Sequence, residues 1–182
     1  MAEPLIRLAT EKDAAAIAAI YAPYVTDTPV SFEEEAPGPE EMARRIAGVG
    51  RGLHPWLAAE IDGRVVGFAS SSPFRARPAY RWSVETGVYL APEAQGQGLG
   101  RKLMERMLEI LTSQGFTSVV AGITLPNGPS VALHEKLGFA PTATYRDTGF
   151  KLGEWRTVQA FARDLAPRLN PPAELKPFAD CQ

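Results

Sequence analysis

Gln95-Gly96-Gln97-Gly98-Leu99-Gly100 is the stretch on which the fold of this chain turns. It follows a strand-like run, Val88-Tyr89-Leu90, and opens a segment with helical periodicity. Three glycines in five residues leave the backbone bare of side chains. Its N–H groups can converge on an anion at a helix N-terminus, where the partial positive end of the helix dipole also points. A phosphate is the natural guest. A nucleotide-hydrolysing P-loop would end in Gly-Lys followed by Ser or Thr, whereas Gly100 is followed by Arg101-Lys102-Leu103. A dinucleotide fold would space its last two glycines more widely than Gly98-Leu99-Gly100. On residue type alone, a glycine turn before a helix stands beside the phosphate reading.

The 182 residues suit one domain with a sizeable core. Hydrophobic content of 45% and charged content of 22% are ordinary for a globular protein. A formal charge of −2 and the lack of any Lys/Arg-rich run argue against a nucleic-acid surface. The single cysteine, Cys181, cannot form an intramolecular disulfide, which fits a reducing, cytoplasmic setting. The opening residues lack a signal peptide's apolar core, and no apolar run approaches the ~20 residues of a membrane helix. No metal-ligand cluster is expected.

Hydrophobic periodicity and turn residues set the element order. Ile6 and Leu8 mark a short strand, and Thr10 caps a helix carrying Ile17, Ile20 and Tyr21 that is expected to end at Pro23. Pro29 to Pro39 is a loop, followed by a helix to about Val49 with Met42, Ile46 and Val49 on one face. Trp56–Ile61 and Arg64–Ala69 flank Asp62-Gly63, a type I′ hairpin signal. Ser70 to Tyr80 reads as a loop with Arg75 and Arg77, and His54 as a loop residue. A strand from Trp82 to Leu90 leads to the glycine stretch. A helix from Gly98 to Gln114, a strand from Phe116 to Thr124, a short helix after Asn127 and strands at 140–145 and 155–165 complete the pattern. This β-α-α-β-β-β-α-β-α-β-β order predicts an α/β (α+β) mixed sheet with helices on both faces. The expected domain is 1–165, and the tail 166–182, with four prolines from Pro167 on, is expected to be an extended arm or disordered.

Gln95-Gly96-Gln97-Gly98-Leu99-Gly100 fits Gln/Arg-x-x-Gly-x-Gly/Ala, and Asn127, Ser130 and His134-Glu135-Lys136-Leu137-Gly138-Phe139 follow about thirty residues on. The combination resembles the GNAT superfamily of acyl-CoA-dependent N-acetyltransferases. Pro55-Trp56-Leu57, Ala76-Arg77-Pro78-Ala79-Tyr80-Arg81-Trp82, Glu85, Leu125-Pro126-Asn127 and Gly149-Phe150-Lys151 with Trp155 resemble the phosphinothricin and methionine sulfoximine or methionine sulfone N-acetyltransferases, over about Ile6 to Leu165. The resemblance implies the GNAT fold, in which the strands around the long helix splay apart to admit acetyl-CoA. It implies a cofactor site of Val88, Tyr89, Leu90, Gln95, Gly96, Gln97, Gly98, Leu99, Gly100, Arg101, Asn127, Ser130 and Lys136. It implies an acceptor site of Phe32, Arg75, Ala76, Arg77, Tyr80, Glu85, Thr86 and Gly87, and a homodimer.

Acetyl transfer to an amine requires loss of a proton from the ammonium, a donor for the oxyanion and departure of a thiolate. Glu85 is the candidate base, since a carboxylate beside an apolar pocket has its pKa raised. The bland alternative is a strand Glu paired with Arg81. The resemblance places the family's catalytic carboxylate on Glu85. His134, where many superfamily members carry Tyr, is the candidate acid for the thiolate, or only a hydrogen-bonding residue. An N–H of the Gly87–Val88 region would serve the oxyanion, with Gly87 marking a bulge or a close approach. Asn127 is either a helix N-cap, a cofactor contact, or both, and Arg101 meets a phosphate or solvent. Arg75 and Arg77 suit the carboxylate of an amino acid or a phosphinate or sulfone oxygen, with plain exposed arginines as the alternative. The expected reaction is acetylation of the α-amine of a small amino-acid analogue. Acetylation of a peptide or protein amine, and a non-catalytic acyl-CoA sensor, are the rival readings.

Overall fold

The computed structural model describes residues 3–48 and 52–181; Val49 and Gln182 lie outside them. Among the described residues, the strands are β1 (Leu5–Leu8), β2 (Trp56–Ile61), β3 (Arg64–Pro73), β4 (Ser83–Leu90), β5 (Ser118–Leu125), β6 (Ala140–Lys151) and β7 (Glu154–Asp164). The helices are α1 (Ala14–Thr26), α2 (Pro39–Ala47), α3 (Leu99–Gln114) and α4 (Gly128–Lys136). The strands form one mixed sheet in the order β1-β2-β3-β4-β5-β7-β6, as the α/β mixed-sheet reading required. Only β4 and β5 run parallel, and they pair over Ser83–Glu85 and Ser118–Val120 alone. Beyond Glu85 the two strands part.

Strand alternation distributes the core to both faces. Leu57, Ala59, Ala69 and Val84 meet Leu103, Met104, Met107 and Leu111 of α3, all fully or almost fully buried. Phe68 and Ala91 on the other face meet Ile17, Tyr21 and Val25 of α1 and Met42 and Ile46 of α2. The Asp62-Gly63 hairpin is as expected, with φ of 49° and 75° at the two turn residues and Ile61 opposite Arg64.

Several local expectations are corrected. Helix α1 continues to Thr26 through Pro23. Proline forfeits one helical hydrogen bond, but the following turn is held by tertiary contacts, since Val25 is fully buried and the Tyr24 hydroxyl donates to the Leu90 carbonyl at 2.6 Å. Strand β3 extends to Pro73 because Ser70–Pro73 pair with Gly87–Val84. That ladder passes through Gly87 without a register shift, so Gly87 marks no bulge there. Strand β6 reaches Lys151 and turns into β7 through Leu152-Gly153, with φ of 52° and 78°. His54 is buried against the ring of Phe116, with centroids 5.7 Å apart.

The C-terminal tail packs as an arm. Leu175 and Phe178 join the α3 side of the core, and the Trp82 indole N–H donates to the Ala173 carbonyl at 2.8 Å. Gln114, fully buried at the end of α3, donates to the carbonyls of Leu53 (2.9 Å) and Lys176 (3.0 Å). One amide thus joins the helix end, the loop before β2 and the tail. Gln114→Ala leaves both carbonyls short of a donor and is expected to cost about 1–3 kcal/mol. Urea unfolding checks this through a lower midpoint at unchanged slope.

Candidate active site

The parting of β4 and β5 creates a cleft lined by Val30, Thr86, Gly87, Val88, Tyr89, Ala121 to Thr124, Asn127, Ser130 and His134, with a cavity of about 50 Å³. Its walls are backbone with few large side chains. On β4 the backbone groups alternate between the β3 ladder and the cleft. The Ala91 N–H donates to Val66 of β3, whereas the Leu90 N–H and carbonyl both meet the Tyr24 hydroxyl. By that alternation Gly87 and Tyr89 direct their amides to β3, and Thr86 and Val88 direct theirs into the cleft. Among Val88, Tyr89 and Leu90, the free edge therefore belongs to Val88. The Tyr89 side chain is core, stacked on Phe68 at 5.1 Å and edge-on to Tyr21 at 4.9 Å.

Helix α3 begins at the end of this cleft. Gly96 and Gly98 take φ of 72° and 77°, a region side-chain-bearing residues rarely adopt, and a Cβ at either would meet open space. The first-turn N–H groups of α3 lack intrahelical acceptors. Gln95 Nε2 bonds the Tyr24 hydroxyl at 3.1 Å, and Gln97 Nε2 bonds the Glu93 carbonyl at 2.6 Å. These side chains hold the ends of the loop and leave its backbone uncovered. Leu99 points into the core. Gly100 sits against Leu90, Leu133 and Val88, where a Cβ would be in ordinary contact. Arg101 pairs with Glu105 at 2.7 Å, both partly exposed. Lys136 lies apart from the cleft, in a surface groove with Glu105, Glu109 and Arg163.

Glu85 stands at the fork. It is the last β4 residue paired with β5, and its Oε1 would lie 3.6 Å from a Cβ on Gly122. Burial raises its carboxyl pKa, and the positive charge of Arg75 partly offsets the rise. The expected alternative, a pair with Arg81, does not form: that guanidinium lies over the Trp82 ring at 4.5 Å. Arg75 rests over Phe74 at 4.8 Å, and Phe74 meets Tyr80 edge-on at 5.8 Å. Ala76, Arg77 and Tyr80 are exposed on the same loop.

His134 is 3% exposed. Its Nδ1 lies 2.8 Å from the Ser130 carbonyl, which can only accept, so Nδ1 carries the hydrogen. Nε2 is buried without a partner, as is Thr86 Oγ1 in the same cavity. Burial lowers the His134 pKa, opposed by the Ser130 contact. The ring is thus neutral, with a lone pair at Nε2. Asn127 caps α4, its Oδ1 accepting from the Ser130 N–H at 3.2 Å.

The far wall is the loop between α1 and α2. Phe32 lies on the bare face of Gly149, where a Cβ would overlap the ring. The next residue, Glu33, gives its carbonyl to the Lys151 ammonium and its carboxylate to Arg45 through two bonds of 2.8 Å. Tyr21 adds a bond to the same carboxylate at 2.9 Å. Sequence reasoning named Phe32 but missed the clamp beneath it; Gly149-Phe150-Lys151 was the available signal. Tyr24 and Gly122, also missed, carry no local signature.

The bare cradle at Gly96 and Gly98, the free β4 edge at Val88 and the partnerless Thr86 and His134 atoms together suit an acyl-CoA thioester. A family model described as the acetyltransferase (GNAT) family matches residues 17–139. The chain belongs to the GNAT family and is an acetyltransferase. It is 42% identical, over 88% of its length and 87% of the relative's, to a phosphinothricin N-acetyltransferase of Streptomyces viridochromogenes. It is 36% identical, over 92% and 98%, to the L-methionine sulfoximine/L-methionine sulfone acetyltransferase of Salmonella typhimurium. A crystal structure of a GNAT superfamily phosphinothricin acetyltransferase from Sinorhizobium meliloti, in complex with AcCoA, superposes with a TM-score of 0.89 at 34% identity, covering 96% of each chain. No helix among the described residues is long and apolar enough to cross a membrane, and none of their His, Cys, Asp and Glu side chains form a metal-holding group of three.

Gly149→Ala is expected to push Phe32 off β6 and raise the acceptor KM several-fold. The affinity for acetyl-CoA should not change, as equilibrium titration would show.

Proposed function

We propose that the chain transfers the acetyl group of acetyl-CoA to the α-amine of a small amino acid or amino-acid analogue, with phosphinothricin, methionine sulfoximine and methionine sulfone as the compounds to test first. The single observation that carries this reading is the position of Glu85, half-buried at the point where β4 and β5 separate, with an upward-shifted carboxyl and no hydrogen-bond partner among the described residues. The relatives' activities support the choice of substrates.

Acetyl-CoA, when bound, supplies an activated acetyl thioester. Its pyrophosphate would lie on the backbone of Gln95–Gly100 and its pantetheine along Val88, with Asn127 and Ser130 on the opposite wall. Glu85 takes the proton of the substrate ammonium, directly or through water, and so frees the nitrogen lone pair. The Val88 N–H faces the cleft and is placed to stabilise charge on the acetyl oxygen. His134, neutral with its lone pair at Nε2, accepts a hydrogen bond; it becomes an acid only after taking up a proton there. Arg75, beside Glu85, attracts the carboxylate of an amino-acid acceptor.

A homodimer is part of this reading. Strand β6 is a sheet edge, and Tyr145, Phe150, Leu152 and Trp155 of the β6–β7 hairpin are 43–63% exposed. A long apolar edge left open invites association. The one cysteine in 182 residues agrees with a cytoplasmic setting.

Glu85→Gln is expected to lower kcat/KM by about 100-fold or more, the scale of a lost general base. A near-wild-type value would remove Glu85 from the chemistry. The acidic limb of the kcat/KM–pH profile reports the same group. Its midpoint should lie above the usual carboxylate range, because activity requires the ionised form and burial opposes ionisation. Arg75→Met removes the charge that favours ionisation, so the limb should move to higher pH. A limb that stays in place would separate it from Glu85.

A further inference from the structure

Ser70 and Ser72 on β3 stand directly across from Gly87 and Glu85 on β4, and Ser70 is also paired with Trp56 on β2. Side chains along such cross-strand rows share one face. The row Gly87–Ser70–Trp56 crosses two strand spacings, about 10 Å. It begins on a glycine and a serine and ends on an indole. With Ser72, these small residues floor a trough that starts beside Glu85.

A cavity of about 660 Å³ lies over the Ser70, Ser72 and Trp56 part of that trough, one strand over from Glu85. Helix α2 roofs it with Met42 and Arg45, Leu53 and His54 close the far end, and Trp56 and Phe68 form its aromatic wall. Tyr89 lines both this cavity and the cleft between β4 and β5. The volume lies in the range of small-molecule sites, which are mostly apolar with a few placed polar groups. Arg45 contributes no free charge, because Glu33 and Glu41 engage it at 2.8 Å. The polar groups left over are neutral. His54 Nδ1 is buried without a partner, in a residue only 9% exposed. The Ser70 and Ser72 hydroxyls donate to no described residue. A short polar side chain would leave most of this volume to water.

We propose that this cavity receives the side chain of the acceptor amino acid and selects large aromatic side chains carrying at most one neutral hydrogen-bonding group, such as an indole or a phenol. With its amine at Glu85 and its carboxylate towards Arg75, an amino acid directs its side chain over Ser72 to Trp56 and His54. The proposal rests on the reading of Glu85 as the site of amine acetylation and adds to it a pocket and a preference.

The test compares coenzyme A release with L-tryptophan, L-alanine and L-methionine sulfone, in wild type and in Leu53→Trp, which fills the far end from a half-buried loop position. Met42→Phe serves as a second filling variant should the first fail to fold. L-tryptophan is expected to exceed L-alanine in kcat/KM by about tenfold or more, the order set by burying an aromatic side chain. That ratio should collapse towards unity in the filled variants. Calorimetric titration with 3-indolepropionate, which has no amine, should show binding to wild type that weakens by a similar factor in Leu53→Trp. A tryptophan-to-alanine ratio near one in wild type, or a ratio indifferent to both filling variants, overturns the pocket. Silence on every amine refutes the acetylation reading instead. In that event the 3-indolepropionate titration still decides the cavity: binding that the filling variants weaken upholds it, and no binding refutes it.

Discussion

The short parallel pairing of β4 with β5 is the constraint on which the rest of the structure depends. A ladder of three residues on each strand, ending at Glu85 and Val120, holds the two halves of the sheet together. Beyond it, Val88 and Leu90 direct their backbone groups to the side that β5 leaves unpaired. An unpaired edge is costly where it is buried, because backbone N–H and carbonyl groups need partners. Tyr24 pays part of this cost by taking both backbone groups of Leu90. What remains, at Val88, is a backbone edge suited to an extended amide-bearing ligand. The opening is thus both a packing defect and the cleft of the candidate site.

The same parting sets the electrostatics. Glu85 is withdrawn from bulk water by the strands on either side, with Gly122 of β5 beside its carboxyl. His134 is withdrawn by α4 and by Phe139, whose ring meets it edge-on at 5.0 Å. Burial acts oppositely on the two, raising the carboxyl pKa and lowering that of the imidazole. Both shifts favour uncharged groups, and they narrow the gap between the two side chains. Arg75 tempers the effect at Glu85, so the loop that carries Arg75 and Arg77 also tunes this carboxyl.

The ion-pair network on the α1–α2 side has a different task. Glu33, Arg45, Glu41 and Tyr21 tie a loop without regular structure to α1 and α2, and Lys151 ties it to β6. Isolated, exposed pairs contribute little. Here a shared carboxylate gathers several partners, which fixes the position of Phe32 over Gly149. Phe32 in turn needs Gly149, a residue more than a hundred positions later in the chain.

The sequence by itself determined the element order, the mixed sheet, the Asp62-Gly63 hairpin, the glycine-rich start of α3, the Asn127 cap and the family. Each of these is written in local chemistry, in the period of apolar residues, in glycines that permit positive φ and in a side chain that caps its own helix. The sequence also placed Glu85 and His134 among the candidates, through resemblance more than through periodicity. Only the tertiary structure decided that α1 survives Pro23, that His54 is buried and that Leu152-Gly153 closes a long hairpin. It alone showed that Tyr24 claims Leu90, that Glu85 is free of Arg81 and that Nδ1 of His134 carries the hydrogen. These depend on partners distant in the chain, and a local pattern carries no record of which side chain will arrive from elsewhere to satisfy a backbone group or leave a carboxylate alone.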